Sequence, residues 1–251
     1  MKKGQTTIFI LMAVIIIAVI IVYYSVERNP INKINSEFQP VYSLVEDCIR
    51  GTGEDAIYYT SLRGGYIEPL NYSYIEYPIE NTSIIASHNI AYYIYGNKNI
   101  MPSKQEIEKE LSDYVDGFTY FCTNKINFKE YNVTLGDIET NTVIEENKVI
   151  FNSKFSITTF KGENTVNFEN FIVEIPVRMG FVYDIVEQIV EKEKQREDIC
   201  ISCLYELSEE NNFSINMLEG DDDGIIFIIT DKKSEFYEDN YKFYFAKYIE
   251  I

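Results

Sequence analysis

Lys148-Val-Ile-Phe-Asn-Ser-Lys-Phe-Ser-Ile-Thr-Thr159 alternates apolar and polar side chains, and Val166 to Val177 resumes the alternation after a Lys161-Gly-Glu-Asn164 turn. A period of two sends successive side chains to opposite faces of a strand. Two such runs joined by a short Gly- and Asn-containing turn signal an antiparallel hairpin. The β pattern as a whole extends from Thr142 to Arg178. Outward from it, the period changes. Upstream, Ser103 and Glu106 form a capping box, in which each residue satisfies a free N–H of the other at a helix start. Ile107, Leu111, Tyr114, Val115, Phe118, Phe121 and Cys122 then make an apolar stripe at helical spacing.

Pro40 opens an earlier helical pattern, with Val41, Leu44, Val45, Cys48 and Ile49 on one face. Gly51-Thr-Gly53 is expected to interrupt it, and Arg63-Gly64-Gly65 to stop it after Leu62. Tyr66 to Ile94 reads as short strands and loops. Downstream of the hairpin, Val182 to Glu210 reads as helix with a break near Arg196. Ser214–Glu219, Ile225–Thr230 and Tyr241–Tyr248 read as three closing strands. Helices and strands thus come in blocks, which predicts an α+β fold with helices packed on an antiparallel sheet. About 225 residues are enough to bury a real core, as one domain or as two with a subdivision near 125–140.

The N-terminus has a different character. Ile8 to Val22 is an unbroken apolar run, and with Thr6, Thr7, Tyr23 and Tyr24 it reaches about 19 residues, roughly 28 Å as a helix and close to a bilayer core. Lys2 and Lys3 precede it, which keeps that end cytoplasmic by the positive-inside bias, and Tyr23 and Tyr24 suit the outer interface. A cleaved secretory signal would have an apolar core of about 7–15 residues and a small-x-small cleavage site. Here the run is longer, and Tyr23-Tyr-Ser-Val-Glu-Arg28 follows without such a site. The expected layout is a cytoplasmic basic stub over 1–5, a transmembrane helix over 6–24, a linker over 25–39 and an extracytoplasmic α+β domain over 40–251. Membrane lipid is then the first partner, and the location is the cell membrane, single-pass.

Lys2-Lys3-Gly4-Gln5-Thr6-Thr7-Ile8 resembles the class III signal peptides of archaeal type IV pilin-like proteins. The resemblance implies a scissile bond between Gly4 and Gln5, and other surface or pilus proteins as partners. Phe9 stands where many pilins carry a Glu that registers neighbouring subunits. Val45-Glu-Asp-Cys48, Arg63-Gly-Gly-Tyr-Ile67, Glu174-Ile-Pro-Val-Arg178 and Cys200-Ile-Ser-Cys203 are similar to a family of membrane-anchored archaeal proteins without an assigned activity. That second likeness implies topology and leaves function open.

The net charge of −18 argues against nucleic acid, whose phosphates need Lys and Arg for neutralisation. It also argues against lying flat on anionic lipid, leaving a cationic partner or, the simpler reading, solubility. Phosphate-cradling glycine motifs are absent, so no nucleotide cofactor is expected, nor any other. Four cysteines beyond the apolar run form an even set in a disulfide-permissive place. Cys48 and Cys122 each sit near the end of an apolar stripe. A bridge between them would pin two helices and be worth roughly 4 kcal/mol in the chain-entropy account. The alternative is two free buried thiols.

Cys200-Ile-Ser-Cys203 admits a thiol–disulfide exchange site if Asp198 caps a helix and places Cys200 in its first turn, where the dipole lowers a thiol pKa. Against this, Lys192 to Glu197 reads as already helical, and Ile199, Ile201 and Leu204 are expected to bury the pair. A structural disulfide is the preferred reading. A four-cysteine zinc site lacks the spacing, and His88, the sole histidine, reads as a loop residue. Asp221-Asp222-Asp223-Gly224 reads as a hairpin turn rather than a calcium loop, since the alternating ligands and closing Glu of an EF-hand are missing. Asn71, Asn81, Asn132 and Asn212 begin glycosylation sequons in form. Together these features lead to a non-enzymatic, membrane-anchored surface protein, structural or adhesive. The alternative is an anchored thiol–disulfide oxidoreductase working through Cys200 and Cys203.

Overall fold

Four helices and nine strands make up the described part of the computed structural model, which comprises residues 36–69, 73–78, 87–125, 130–220 and 224–249. The chain divides into two compact units, Met1–Pro40 and Val41–Ile251. In the first, the described residues form a turn over 36–38 and the entry to helix α1. The Ile8–Val22 run, Gly4, Gln5, Asn71, Asn81 and Asp221–Asp223 lie outside the described residues. Among those described, no helix is long and apolar enough to cross a membrane.

The helices are α1 (Gln39–Leu62), α2 (Lys104–Lys125), α3 (Met179–Glu193) and α4 (Ile201–Asn211). The strands are β1 (Tyr74–Pro78), β2 (Ser87–Tyr95), β3 (Lys98–Asn99), β4 (Asn132–Ile144), β5 (Val149–Lys161), β6 (Asn164–Ile175), β7 (Phe213–Glu219), β8 (Gly224–Phe236) and β9 (Asp239–Tyr248). The class is therefore α+β. β4, β5 and β6 form an antiparallel three-stranded meander. The other six strands form one sheet in the order β1-β2-β9-β8-β7, with β3 paired to β2. Within it β2 and β9 run parallel, which corrects the expectation of a purely antiparallel sheet. Antiparallel neighbours follow from tight turns, whereas β2 and β9 are separated by the whole meander and both later helices, so no turn dictates their direction.

The β5–β6 hairpin turns on Gly162, whose φ of 61° suits a residue without a Cβ, and Lys161 faces Asn164 across it. Phe151, Phe155 and Ile157 of β5 and Phe168, Phe171, Val173 and Ile175 of β6 point to the core. α1 lies against this face. Its buried residues Val41, Val45, Cys48, Ile49, Thr52, Ala56, Ile57 and Thr60 keep three- and four-residue spacing, and Tyr42 stacks on Phe171 with ring centroids 4.8 Å apart. At its other end α1 reaches the six-stranded sheet, where Ser61 Oγ lies 2.8 Å from the buried Tyr241 hydroxyl. One helix thus serves both sheets.

The expected break at Gly51-Thr-Gly53 does not occur; α1 runs through it. A Cβ on Gly53 would stand 2.8 Å from the Phe151 ring and 3.1 Å from Ile175 Cδ1, whereas one on Gly51 would meet nothing within 4 Å. Gly53 marks close approach of helix to sheet, not a chain break. Substitutions separate the two roles. Gly51→Ala is expected to raise stability by up to about 1 kcal/mol through helix propensity. Gly53→Ala is expected to lose about 1–3 kcal/mol through overpacking despite the same propensity gain. Urea unfolding of both variants checks this; a stabilised Gly53→Ala would refute the packing assignment.

α2 starts at the capping box: Glu106 accepts from the Ser103 backbone N–H at 2.7 Å, and the Glu106 N–H reaches Ser103 Oγ at 3.3 Å. The Ser103 N–H holds the Glu106 carboxyl below its ordinary range. Further along, α2 covers the edge of the meander. The Ile144 N–H donates to Glu108 Oε1 at 2.9 Å and the Thr142 N–H to Ser112 Oγ at 3.1 Å, two acceptors four residues apart on α2. Asp116, the next in that series, faces Thr140; burial raises its carboxyl pKa, and hydrogen bonds from Thr140 oppose the rise. The ladder groups β4 would otherwise leave open are thus taken up by side chains of a helix.

Candidate functional site

Cys48 of α1 and Cys122 of α2 form a disulfide, with Cα atoms 5.8 Å apart. One turn along both helices, Thr52 Oγ1 and Thr119 Oγ1 meet at 2.8 Å. Cys48, Thr52 and Thr119 are buried and Cys122 is half-buried, and the bridge is a clamp between helices. Cys200 and Cys203 form the second disulfide, and this one has the ingredients of a site.

The surroundings of Cys200 differ from expectation in three respects. α3 ends at Glu193, with Lys194 as C-cap, so residues 194–200 are not helical. Cys200 is itself the N-cap of α4 and makes no side-chain capping bond, so Asp198 is not the cap and Cys203, not Cys200, lies in the first turn. Ile201 is 59% and Tyr205 65% exposed, so of the apolar neighbours only Leu204 is buried while Ile199 is half-buried. The disulfide is half-buried, with an exposed apolar rim.

What fixes the start of α4 is a carboxylate from α3. Glu193 Oε1 accepts from the Cys200 backbone N–H at 3.1 Å. Glu193 is fully buried, and its counter-charge is Lys247 of β9, 3% exposed, with Nζ 3.6 Å from Oε2. The same ammonium donates to the carbonyls of Glu193 at 3.1 Å and Arg196 at 2.8 Å. Lys247 therefore neutralises Glu193 and also ties down the segment between α3 and α4. Two sequence-distant charges hold the loop that presents the disulfide.

No family model matches the chain, and no curated protein or solved structure does either. The chemistry of the site therefore rests on its own geometry. Among the described residues, no group of three or more His, Cys, Asp or Glu side chains is placed to hold a metal ion. His88 lies in β2, opposite Tyr77, rather than in a loop. It is half-buried, and burial followed by the nearby Arg63 lowers its pKa. Asn132, at the first position of β4, and Asn212, the left-handed C-cap of α4, are exposed.

Two further constellations join residues too far apart in sequence to be read together. Arg178, at the start of α3, donates to Asp231 Oδ1 at 2.8 Å, and its guanidinium carbon lies 3.8 Å from the Phe181 ring centroid. Asp231 also accepts from the Lys233 N–H and from Ser234 Oγ, which fixes the irregular stretch of β8 after it. Separately, α1 and the β8–β9 hairpin enclose a cleft of about 440 Å³ lined by several tyrosines, with Asp55, Asp239, Asn240 and Lys242. Its hairpin turn carries Tyr237 and Glu238, both left-handed at φ 51° and 63°. Two-residue turns of this hand usually take Asn-Gly or another Gly-containing pair, because a Cβ is disfavoured there.

Proposed function

We propose that this chain is a membrane-anchored surface protein whose α+β domain stands outside the cytoplasm in a structural or adhesive role. The observation that carries the reading is the Ile8–Val22 apolar run, preceded by Lys2 and Lys3 and followed by a domain cross-linked by two disulfides. Disulfides persist in oxidising compartments, which agrees with the side of the membrane to which the basic stub assigns the domain. On this reading the Cys200–Cys203 bridge is a local staple that closes the turn into α4.

Protease shaving of intact cells tests the topology: the domain is expected to be cleaved or released, and full protection until the membrane is lysed would overturn it. The mature N-terminus separates the subtypes. Gln5 means prepilin-type processing after Gly4, whereas Met1 or Lys2 means a plain signal anchor.

A second reading is favoured by the partial exposure of the Cys200–Cys203 pair beside exposed Ile201 and Tyr205. An oxidoreductase would pass this disulfide to a substrate dithiol. The substrate thiolate attacks one sulfur, a mixed disulfide forms, and the second substrate thiolate resolves it. The substrate leaves oxidised and the pair remains as two thiols. Alkylation of the reduced protein against pH discriminates. A thiol pKa well below about 8.5 with rapid labelling supports the enzyme, and slow labelling near that value leaves the staple.

A further inference from the structure

The cleft between α1 and the β8–β9 hairpin combines aromatic faces with carboxylates. On the α1 side it presents Asp55, Tyr58 and Tyr59, and on the hairpin side Tyr237, Asp239 and Tyr244. Tyr58 is 41% and Tyr237 51% exposed, and their rings meet edge to face with centroids 5.3 Å apart. Tyr58 and Tyr59 meet in the same manner at 5.6 Å. Successive edge-to-face contacts turn ring faces in different directions, which is how a small group comes to be surrounded by π-density.

The charge has a definite sign. Asp55 Oδ1 accepts from the Tyr237 hydroxyl at 2.7 Å, and the Tyr237 pKa is pushed up by burial, by that bond and by the neighbouring Glu54. Lys242 is the basic side chain lining the cleft, and its ammonium is already bonded to Asp239. The Asp55 charge has no such basic partner within the lining. An uncharged ligand would leave this field unanswered, and an anion would be repelled.

We propose that this cleft binds a small alkylammonium ion, its cationic head against the rings of Tyr58 and Tyr237 and beside the Asp55 carboxylate, while the guanidinium of Arg63 lies over the Tyr59 ring, 5.7 Å from its centroid. A cation over a tyrosine face is attracted by the ring quadrupole, most strongly where water is excluded. A volume of about 440 Å³ suits an ammonium head with a short alkyl chain. The site is independent of the Cys200–Cys203 pair and of membrane anchoring.

The test uses the full chain, labelled with ¹³C in its tyrosine rings and held in an uncharged maltoside detergent. It is titrated with choline, n-butylammonium, 3,3-dimethylbutan-1-ol (the neutral isostere of choline) and glucose. The expected result is saturable movement of cleft tyrosine signals, assigned through Tyr58→Leu and Tyr237→Phe, with both cations and with neither neutral compound. Asp55→Asn and Tyr58→Leu, both at the rim, are expected to weaken choline binding by roughly tenfold each. Equal binding of the neutral isostere, preference for glucose, no saturation with either cation, or unchanged affinity in both variants would each overturn the proposal. The cation-against-isostere comparison is made on the unmutated chain, so the decision does not depend on how well a variant folds.

Discussion

Lys247→Met is expected to cost about 3–5 kcal/mol of folding stability, because it removes the counter-charge of the buried Glu193 carboxylate. Glu193 is fully buried, and its Oε2 already lacks a hydrogen-bond partner among the described residues. Among the described residues, the compensation on that side is the ammonium at 3.6 Å. The substitution also removes the donor to the Glu193 and Arg196 carbonyls, so residues 194–200 lose their tie to β9. The double variant Glu193→Gln with Lys247→Met is expected to recover much of the loss, since an amide costs far less to bury than a carboxylate. Urea unfolding monitored by circular dichroism measures both. A single-variant loss below about 1 kcal/mol would mean that the pair is solvated, and that something else fixes the start of α4.

Replacing Cys48 and Cys122 together by serine is expected to cost a comparable amount, roughly 4 kcal/mol, for a different reason. The bridge closes a loop with a sequence separation of 74, and opening it returns that much conformational freedom to the unfolded chain. Cys200 and Cys203 are separated by only 3, so the same account gives about 2 kcal/mol for their removal. Thermal unfolding of the two double-serine variants provides the comparison. An equal loss from both would show that native packing around the sulfurs, rather than loop closure, sets their worth.

The sequence disclosed those parts of the fold that are written in local pattern. The Ser103–Glu106 box sits at the entry to α2 because capping needs only four consecutive residues. The β5–β6 hairpin was legible because alternation and turn lie side by side. The sequence pattern marks β4 only from Thr142, although the strand begins at Asn132. Its first half is largely exposed on both faces and carries a register shift after Leu135, so it has no apolar alternation to display. The apolar pattern of β8 stops at Thr230 while the strand continues to Phe236, because after the buried Asp231 it is irregular and polar. Gly53 was misleading, since close packing against Phe151 and a helix break call for the same residue. The Glu193–Lys247 pair and the tyrosine cleft were illegible. Glu193 and Lys247 meet only where α3 ends against β9, and the cleft forms only where α1 passes the β8–β9 hairpin, and no local spacing encodes either.

The Cys48–Cys122 bridge also decides how the domain carries tension. A pull applied through the polypeptide ahead of α1 travels along the chain to Cys48, crosses the sulfur bridge to Cys122, and continues toward the meander. The residues between the two cysteines, which include the rest of α1, β1, β2 and most of α2, stay outside the loaded covalent path. At about 3.3–3.6 Å per extended residue, the oxidised chain can pay out roughly 250 Å less than the reduced one before its backbone is taut. The bridge therefore acts as a shackle that shortens the tether, and redox state sets the distance over which the chain gives way under load.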